Sequence, residues 1–300
     1  MKRFETERYP DGIFCVYHSR DLDGWCSGAI IKTYCERKEI GFVGLGWDYG
    51  DPLPTPEQIG QRMLVLTDVS FSPEIMESYL DFGLVWIDHH TSAIESYSKS
   101  KARHIDGMRT VKFAACELTW QYFFEIDVPE MVELLGKYDS FRHQGAPDEL
   151  TVWNFQLGMR NKAVGLDETY NVLQFYLEVN WANREKIVFD ICQQGQAIDS
   201  FLRKEARPIF DGGFDFTADN FLFRAINRER FNPVLVGIDY HAMGYDGIIC
   251  FWFKKDRWMF SVYNENGQLD CSEFCKKRGG GGHKGAAGFQ IGHINEFFHI

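Results

Sequence analysis

Over the first 90 residues, apolar β-rich runs alternate with stretches of helical periodicity: Ile13 to His18, Cys26 to Arg37, Gly41 to Leu45, Met63 to Asp68, Pro73 to Leu80 and Leu84 to Asp88. A run as uniformly apolar as Met63 Leu64 Val65 Leu66 suits a strand covered on both faces. The alternation therefore predicts an α/β fold of βαβ units, a mostly parallel sheet flanked by helices. Residues 112–137 predict two helical pieces separated around Asp127 to Pro129, the second ending near Gly136, just ahead of Asp139. From Trp181 to about Ala206, Ile187, Ile191, Ile198 and Phe201 or Leu202 recur at helical spacing and predict a long helix linking two lobes. β-rich runs return at Phe221 to Ile226, Val234 to Ile238, Ile248 to Phe253 and Trp258 to Tyr263, before a short helix at Cys271 to Lys277. The expected layout is a first domain over residues 1–180, a linker helix over 181–207 and a smaller C-terminal α/β domain over 208–300.

Three of the early strands end in polar residues, and sites in open α/β sheets collect at strand carboxyl ends. The first gives way to His18 Ser19 Arg20 Asp21 Leu22 Asp23 Gly24, where Asp21 and Asp23 can aim at one point, although turns favour Asp and Gly for backbone reasons alone. The second ends at Asp68, a carboxylate that must be ligated, hydrogen-bonded or used as a cap if it is not to be costly. The third ends in Asp88 His89 His90, and adjacent histidines there have no ordinary packing rationale. With Asp139, these residues form a mixed oxygen and imidazole set, suited to Mn²⁺ or Mg²⁺ rather than to a thiolate metal. Asp21, Asp23, Asp68 and Asp139 would repel one another without cations, and two divalent ions roughly cancel them, so a two-metal centre is expected over a single ion.

Composition narrows the setting. With 45% hydrophobic and 25% charged residues, 28 Gly and 9 Pro, the chain is a folded globular protein rather than a disordered or collagen-like one. Its 32 basic and 43 acidic residues leave a net charge of −11, which argues against wrapping a nucleic-acid duplex. No apolar stretch reaches the ~18 residues of a membrane helix, and Met1 Lys2 Arg3 Phe4 Glu5 Thr6 Glu7 leads into no apolar signal core, so a cytoplasmic location without membrane contact is expected. The 8 cysteines are scattered without a Cys-x-x-Cys pair and read as reduced, mostly buried thiols, Cys271 and Cys275 included.

These residues resemble, in order and across nearly the whole chain, the DHH phosphoesterase superfamily with its DHH-associated C-terminal domain, the group of RecJ-type exonucleases and oligoribonucleotide phosphodiesterases. The matching pieces are His18 to Gly24, Asp68, Asp88 His89 His90, Asp139 in Lys137 Tyr138 Asp139 Ser140, and Gly280 Gly281 Gly282 His283 with Ala286 Ala287 Gly288. The resemblance implies two divalent ions in a cleft between the domains, Mn²⁺ first and Mg²⁺ or Co²⁺ as alternatives. His18 and Asp21 would hold one ion, Asp23, His89 and Asp139 the other, and Asp68 would bridge. Asp88 would orient a histidine and His90 would touch the substrate phosphate. Two departures stand out: His18 precedes Asp21 by three residues where many relatives have four, and Ser261 Val262 Tyr263 replaces a common Ser-x-Arg strand, which leaves Arg278 as the substitute phosphate arginine.

Consecutive glycines let backbone N–H groups approach an anion closely, so Gly280, Gly281, Gly282, His283 and Arg278 are expected to bind substrate. A flexible loop with solvated lysines is the plain alternative. Trp25, Trp47, Tyr49, Trp153 and Phe155 are conceivable base-stacking residues, but most of so many aromatics must fill core. The expected function is a two-metal phosphodiesterase or exonuclease on short single-stranded oligonucleotides or linear dinucleotides, by metal-activated water. A phosphatase for nucleotide bisphosphates or pyrophosphate is the rival within the same chemistry. An inactive nucleotide-binding regulatory protein is the rival of another class. Oligomeric state, homodimer included, stays open.

Overall fold

The computed structural model of the chain describes residues 4–229, 231, 237–264, 268–282 and 284–298. His283, expected to bind substrate, lies outside the described residues, as do 234–236 of the run expected as a strand over Val234 to Ile238. The chain divides into two units, Met1–Ala197 and Ile198–Ile300, so the division falls inside the helix expected as a linker.

The first unit holds β1 (Ile13–His18), α1 (Leu22–Lys38), β2 (Phe42–Trp47), α2 (Pro56–Ile59), β3 (Met63–Thr67), α3 (Pro73–Ser78), β4 (Val85–Ile87), α4 (Thr91–Lys99), α5 (Ala115–Phe124), α6 (Glu130–Asp139), α7 (Glu149–Lys162) and α8 (Leu166–Glu178). A long helix, α9 (Trp181–Asp211), runs on into the second unit and contains Pro208. The four strands form a parallel sheet in the order β2-β1-β3-β4. Alternation along β1 shows why both faces are apolar: Ile13 and Cys15 enter a core with α1, α5, α6, α7 and α8, while Phe14 and Val16 enter another with Leu64, Leu66, Met76 and Trp86. The chain leaves β1 for β2 on one side and returns to β3 on the other, so the carboxyl ends of β1 and β3 flank the point where strand order reverses. Crevices at such points are where α/β sheets take ligands.

The second unit continues with β5 (Phe214–Ala218), β6 (Phe221–Asn227), β7 (Gly247–Lys254), β8 (Arg257–Tyr263), α10 (Cys271–Lys276), β9 (Gly281–Gly282), β10 (Ala286–Ile291) and α11 (Asn295–Phe298). Its sheet runs β5-β6-β7-β8-β10-β9, with β6 and β7 parallel and the other neighbours antiparallel. Much of the chain's phenylalanine packs here: Phe223, Phe251, Phe260, Phe274, Phe289, Phe297 and Phe298 form one cluster. Phe260 sits at its centre, stacked on Phe289 at 4.6 Å and edge-on to Phe297 at 5.0 Å. Cys271 and Cys275 are buried in the same cluster, and all eight cysteines are free thiols, as their spacing predicts. No helix among the described residues is long and apolar enough to cross a membrane.

Truncating a fully buried phenylalanine removes its transfer free energy and leaves a cavity, so Phe260→Ala is expected to destabilise the protein by about 3–5 kcal/mol. Denaturant unfolding checks this, and a change below about 1 kcal/mol would contradict the placement of Phe260 at the centre of that core.

Candidate metal centre

β1 ends at His18, and the next residues turn directly into α1. Asp21 is the N-cap: Oδ1 accepts the Gly24 amide at 3.0 Å, and Oδ2 meets His18 Nδ1 at 2.9 Å. A Cβ on Gly24 would lie 2.1 Å from the His18 carbonyl oxygen, so only glycine lets this turn close against the strand. The Asp-x-Asp-Gly sequence is thus at once a helix start and a device that brings two carboxylates to one strand end.

Asp23, buried in the first turn of α1, reaches across to α5. Its two oxygens accept the Ala115 and Cys116 amides at 2.9 and 2.8 Å, which caps a helix whose own N-cap, Ala114, has no side-chain oxygen. Asp68 follows β3 with φ of +60°, a left-handed conformation that costs a non-glycine residue energy. Asp139 is the last residue of α6 rather than lying beyond it, so its carboxylate sits at the negative end of a helix, where a cation is favoured and an anion is not.

Asp88 is fully buried and is the organising acceptor after β4. Its Oδ1 takes the His89 and His90 amides at 2.7 and 3.0 Å and His90 Nδ1 at 2.8 Å, and Oδ2 takes the Trp86 indole N–H at 3.1 Å. It thus fixes both backbone amides and the His90 ring. His89 Nε2 then faces three carboxylates, Asp139 Oδ2 at 3.2 Å, Asp68 Oδ1 at 3.3 Å and Asp23 Oδ2 at 3.6 Å. None of these contacts has hydrogen-bond geometry, and Asp68 Oδ1 and His89 Nε2 are both buried without a partner. The atoms converge on a common point rather than on one another, as cation ligands do.

Three groupings bring their ligand atoms within 4.8 Å of one another: His18, Asp21 and Asp68; Asp23, His89 and Asp139; and Asp68, His89 and His90. Every expected metal position therefore falls in one connected cluster within the first unit, with Asp68 shared by two of the groupings. The donor set, carboxylate and imidazole without thiolate, fits hard divalent cations.

Charge follows from the crowding. Burial, and then the carboxylates of Asp23, Asp21, Asp139 and Asp88, push Asp68 well above the usual range. Burial, then Asp23 and Asp21, raise Asp139 likewise, against the charges of His90 and Arg160. Asp21 and Asp88 go the other way: burial opposes, but His18 and His90 respectively hold each carboxyl below its ordinary value. His90 is raised by its bond to Asp88, and His18 is raised by Asp21 and Asp48 despite its burial.

Asp48 was not among the expected residues. It follows β2, with Oδ1 3.7 Å from His18 Nε2 and Oδ2 bonded to Arg20. Its signal was the same as for the others, an acid just past a strand end, hidden in the turn-like run Asp48 Tyr49 Gly50 Asp51 Pro52.

The expected substrate residues of the second unit are placed differently. Arg278 bonds Asp219 Oδ1 at 3.1 Å and the Phe274 carbonyl at 2.8 Å, and stacks 3.8 Å over the Phe274 ring, so its guanidinium is spent on its own unit. Gly280 donates to the Cys275 carbonyl, and a Cβ there would meet the Gly288 carbonyl oxygen at 2.0 Å. Gly281 and Gly282 pair with β10. Close backbone packing accounts for glycine at position 280 without any anion.

Neither a protein-family model nor a curated protein matches the sequence. Solved structures do. The exonuclease RecJ bound to manganese aligns with a TM-score of 0.53 at 12% identity, over 96% of this chain and 87% of that one. The pGpG-specific phosphodiesterase PggH from Vibrio cholerae gives 0.52 at 14%, over 95% of each chain. An exopolyphosphatase-related protein from Bacteroides fragilis gives 0.51 at 13%, over 97% and 90%. The chain has a RecJ-like fold, the one these structures share. The order of motifs that suggested the DHH resemblance is thus matched by the architecture that carries them.

The pKa directions give the ligand cluster a pH signature. Asp68, Asp139, His18 and His90 bind protons more tightly folded than unfolded, so their stability contribution is complete below their unfolded pKa values and is lost as pH rises through the folded ones. Asp21, Asp48 and Asp88 are lowered, and their contribution is already complete above about pH 5. In chelator, the melting temperature is expected to fall as pH rises above about 6.5, the ordinary histidine value, where the lowered carboxylates no longer change their contribution. Mn²⁺ at a fixed concentration, a hundred times its Kd at neutral pH, should restore about 2.7 kcal/mol for each ion bound, with the larger gain at higher pH because protons no longer compete. Asp68→Asn should remove most of that gain. A flat pH profile in chelator, or an undiminished Mn²⁺ gain in the variant, would contradict the assignment.

Proposed function

We propose that the protein is a metal-dependent phosphodiesterase acting on short single-stranded oligonucleotides or linear dinucleotides, with two divalent ions, Mn²⁺ foremost. One observation carries the reading: ligand groupings connected through Asp68, whose buried Oδ1 and the buried Nε2 of His89 have no protein partner. His18 and Asp21 would hold one ion, Asp23, His89 and Asp139 the other, and Asp68 both. When bound, such ions supply neutralisation of charge at phosphorus and a water that ionises near neutral pH.

The chain's own groups do the rest. Asp88 fixes the His90 ring through Nδ1 and keeps it protonated to higher pH, which leaves Nε2 as the donor for a phosphate oxygen as charge builds on it. Asp48, tied to Arg20, faces the His18 ring nitrogen that Asp21 leaves free, at 3.7 Å. Gly281, Gly282 and His283 remain the second unit's proposed contact to substrate. Arg278, proposed with them, is paired with Asp219 in this structure. The choice of substrate is supported by the likeness to a nuclease and to a phosphodiesterase of pGpG.

A product time course on end-labelled di- to decanucleotides of RNA and DNA with Mn²⁺ tests this. Asp68→Ala and His89→Ala are expected to lose more than about 100-fold in rate, beyond the 10- to 100-fold typical of removing a group that only orients a ligand, the loss expected of Asp88→Ala. Variants as fast as wild type would overturn the site. Release of phosphate from nucleotide bisphosphates with intact dinucleotides would replace the reading by a phosphatase, and binding without turnover in any metal would replace it by a silent nucleotide-binding protein.

A further inference from the structure

A cavity of about 420 Å³ opens in the first unit, walled by the same loops that carry the metal cluster. Tyr49 follows Asp48, Ser70 and Phe71 come just after Asp68, and Ser92 comes two residues after His90. Trp47 and Phe71 are buried edge-on at 5.1 Å. Tyr49 extends this aromatic wall, 5.2 Å from Trp47 with its hydroxyl against Ser70, yet is 59% exposed. Of the five aromatics conceivable as stackers, Trp153 and Phe155 are buried in the fold and Trp25 is tied to the Ser19 carbonyl, which leaves Tyr49 with a ring in solvent.

The chemistry of the lining is informative. None of its residues is charged, although it adjoins the most heavily charged part of the unit. Ser92 and Ser96 lie one turn apart on α4, and their hydroxyls have no protein partner among the described residues. Uncharged aromatic walls give nothing to a phosphate. They suit a neutral planar ring whose faces stack and whose edge hydrogen-bonds to hydroxyls.

We infer that this cavity binds the nucleobase of the nucleotide whose phosphate lies at the cluster, with Tyr49 as the stacking face and Ser92 and Ser96 as edge contacts. The inference rests on the proposed function for the kind of substrate, and it deepens that reading by giving the base its own pocket beside the phosphate.

Binding, rather than turnover, tests it separately. Calorimetric titration of the Mn²⁺-loaded protein with AMP, GMP and ribose 5-phosphate is expected to show the two nucleotides at least about tenfold tighter than the sugar phosphate, the scale of one base on one aromatic ring. Tyr49→Ala, and Ser96→Trp, which fills the cavity from the exposed face of α4, should cut that preference to about twofold or less and leave ribose 5-phosphate affinity and melting temperature unchanged. Tyr49→Phe should keep it. A preference that survives both Tyr49→Ala and Ser96→Trp, or no preference in the wild type, overturns the pocket. A base preference of the predicted pattern without cleavage of any dinucleotide would uphold the pocket while overturning the phosphodiesterase reading.

Discussion

Like charges do not gather in a protein interior without cause. At the carboxyl end of this sheet Asp23 and Asp68 are buried and Asp139 is half-buried within 3.2 to 3.6 Å of one imidazole nitrogen, and Asp21 reaches the same place from the start of α1. In a medium of low dielectric their repulsion is strong, and protonation or bound cations are the only remedies. Local details add to the cost: Asp68 sits in a left-handed conformation, and Asp139 lies at the negative end of α6. A fold that keeps these features has groups that could hold a metal ion, and the two divalent ions proposed above would balance them with one set of ligands.

The supporting shell shows the same economy. Asp88 spends both oxygens on the backbone amides of the two histidines, the His90 ring and the Trp86 indole, so the His90 imidazole is held in place. Asp23 caps α5 and faces His89 at once, which locks α1 and α5 to the ligand cluster. Ligands held by strand ends and helix starts, with Asp21 and Asp23 already hydrogen-bonded, lose little freedom when an ion arrives. The uncharged aromatic cavity beside them divides the labour between a charged centre for the phosphate and a neutral wall for the base.

Much of this was legible in the chain. Strand ends at His18, Asp68 and Asp88 can be read because a buried parallel strand is a short apolar run that stops abruptly at its polar residue. The glycine after Asp-x-Asp reads as an ordinary turn residue, and the structure shows that the close approach of the His18 carbonyl requires it. Other elements left weaker traces. Helix α7 is buried almost all round from Val152 to Met159, so it has no amphipathic stripe to announce it, and α7 and α8 were not anticipated. Asp48 and Tyr49 look like ordinary turn residues, because only the pairing of β2 beside β1 brings them to His18. Arg278 has a partner the sequence did not announce: Asp219, about sixty positions earlier in the chain, bonds its guanidinium.

The claim at the centre is that these carboxylates and histidines hold two ions through one shared aspartate. Direct counting of bound Mn²⁺ by titration calorimetry, with electron paramagnetic resonance of the loaded protein, tests it most directly. Two ions per chain with a spin-coupled signal, reduced to one uncoupled ion or none in Asp68→Asn, is the predicted result. A single uncoupled ion in the wild type, or two ions bound just as tightly without the Asp68 carboxylate, would contradict it.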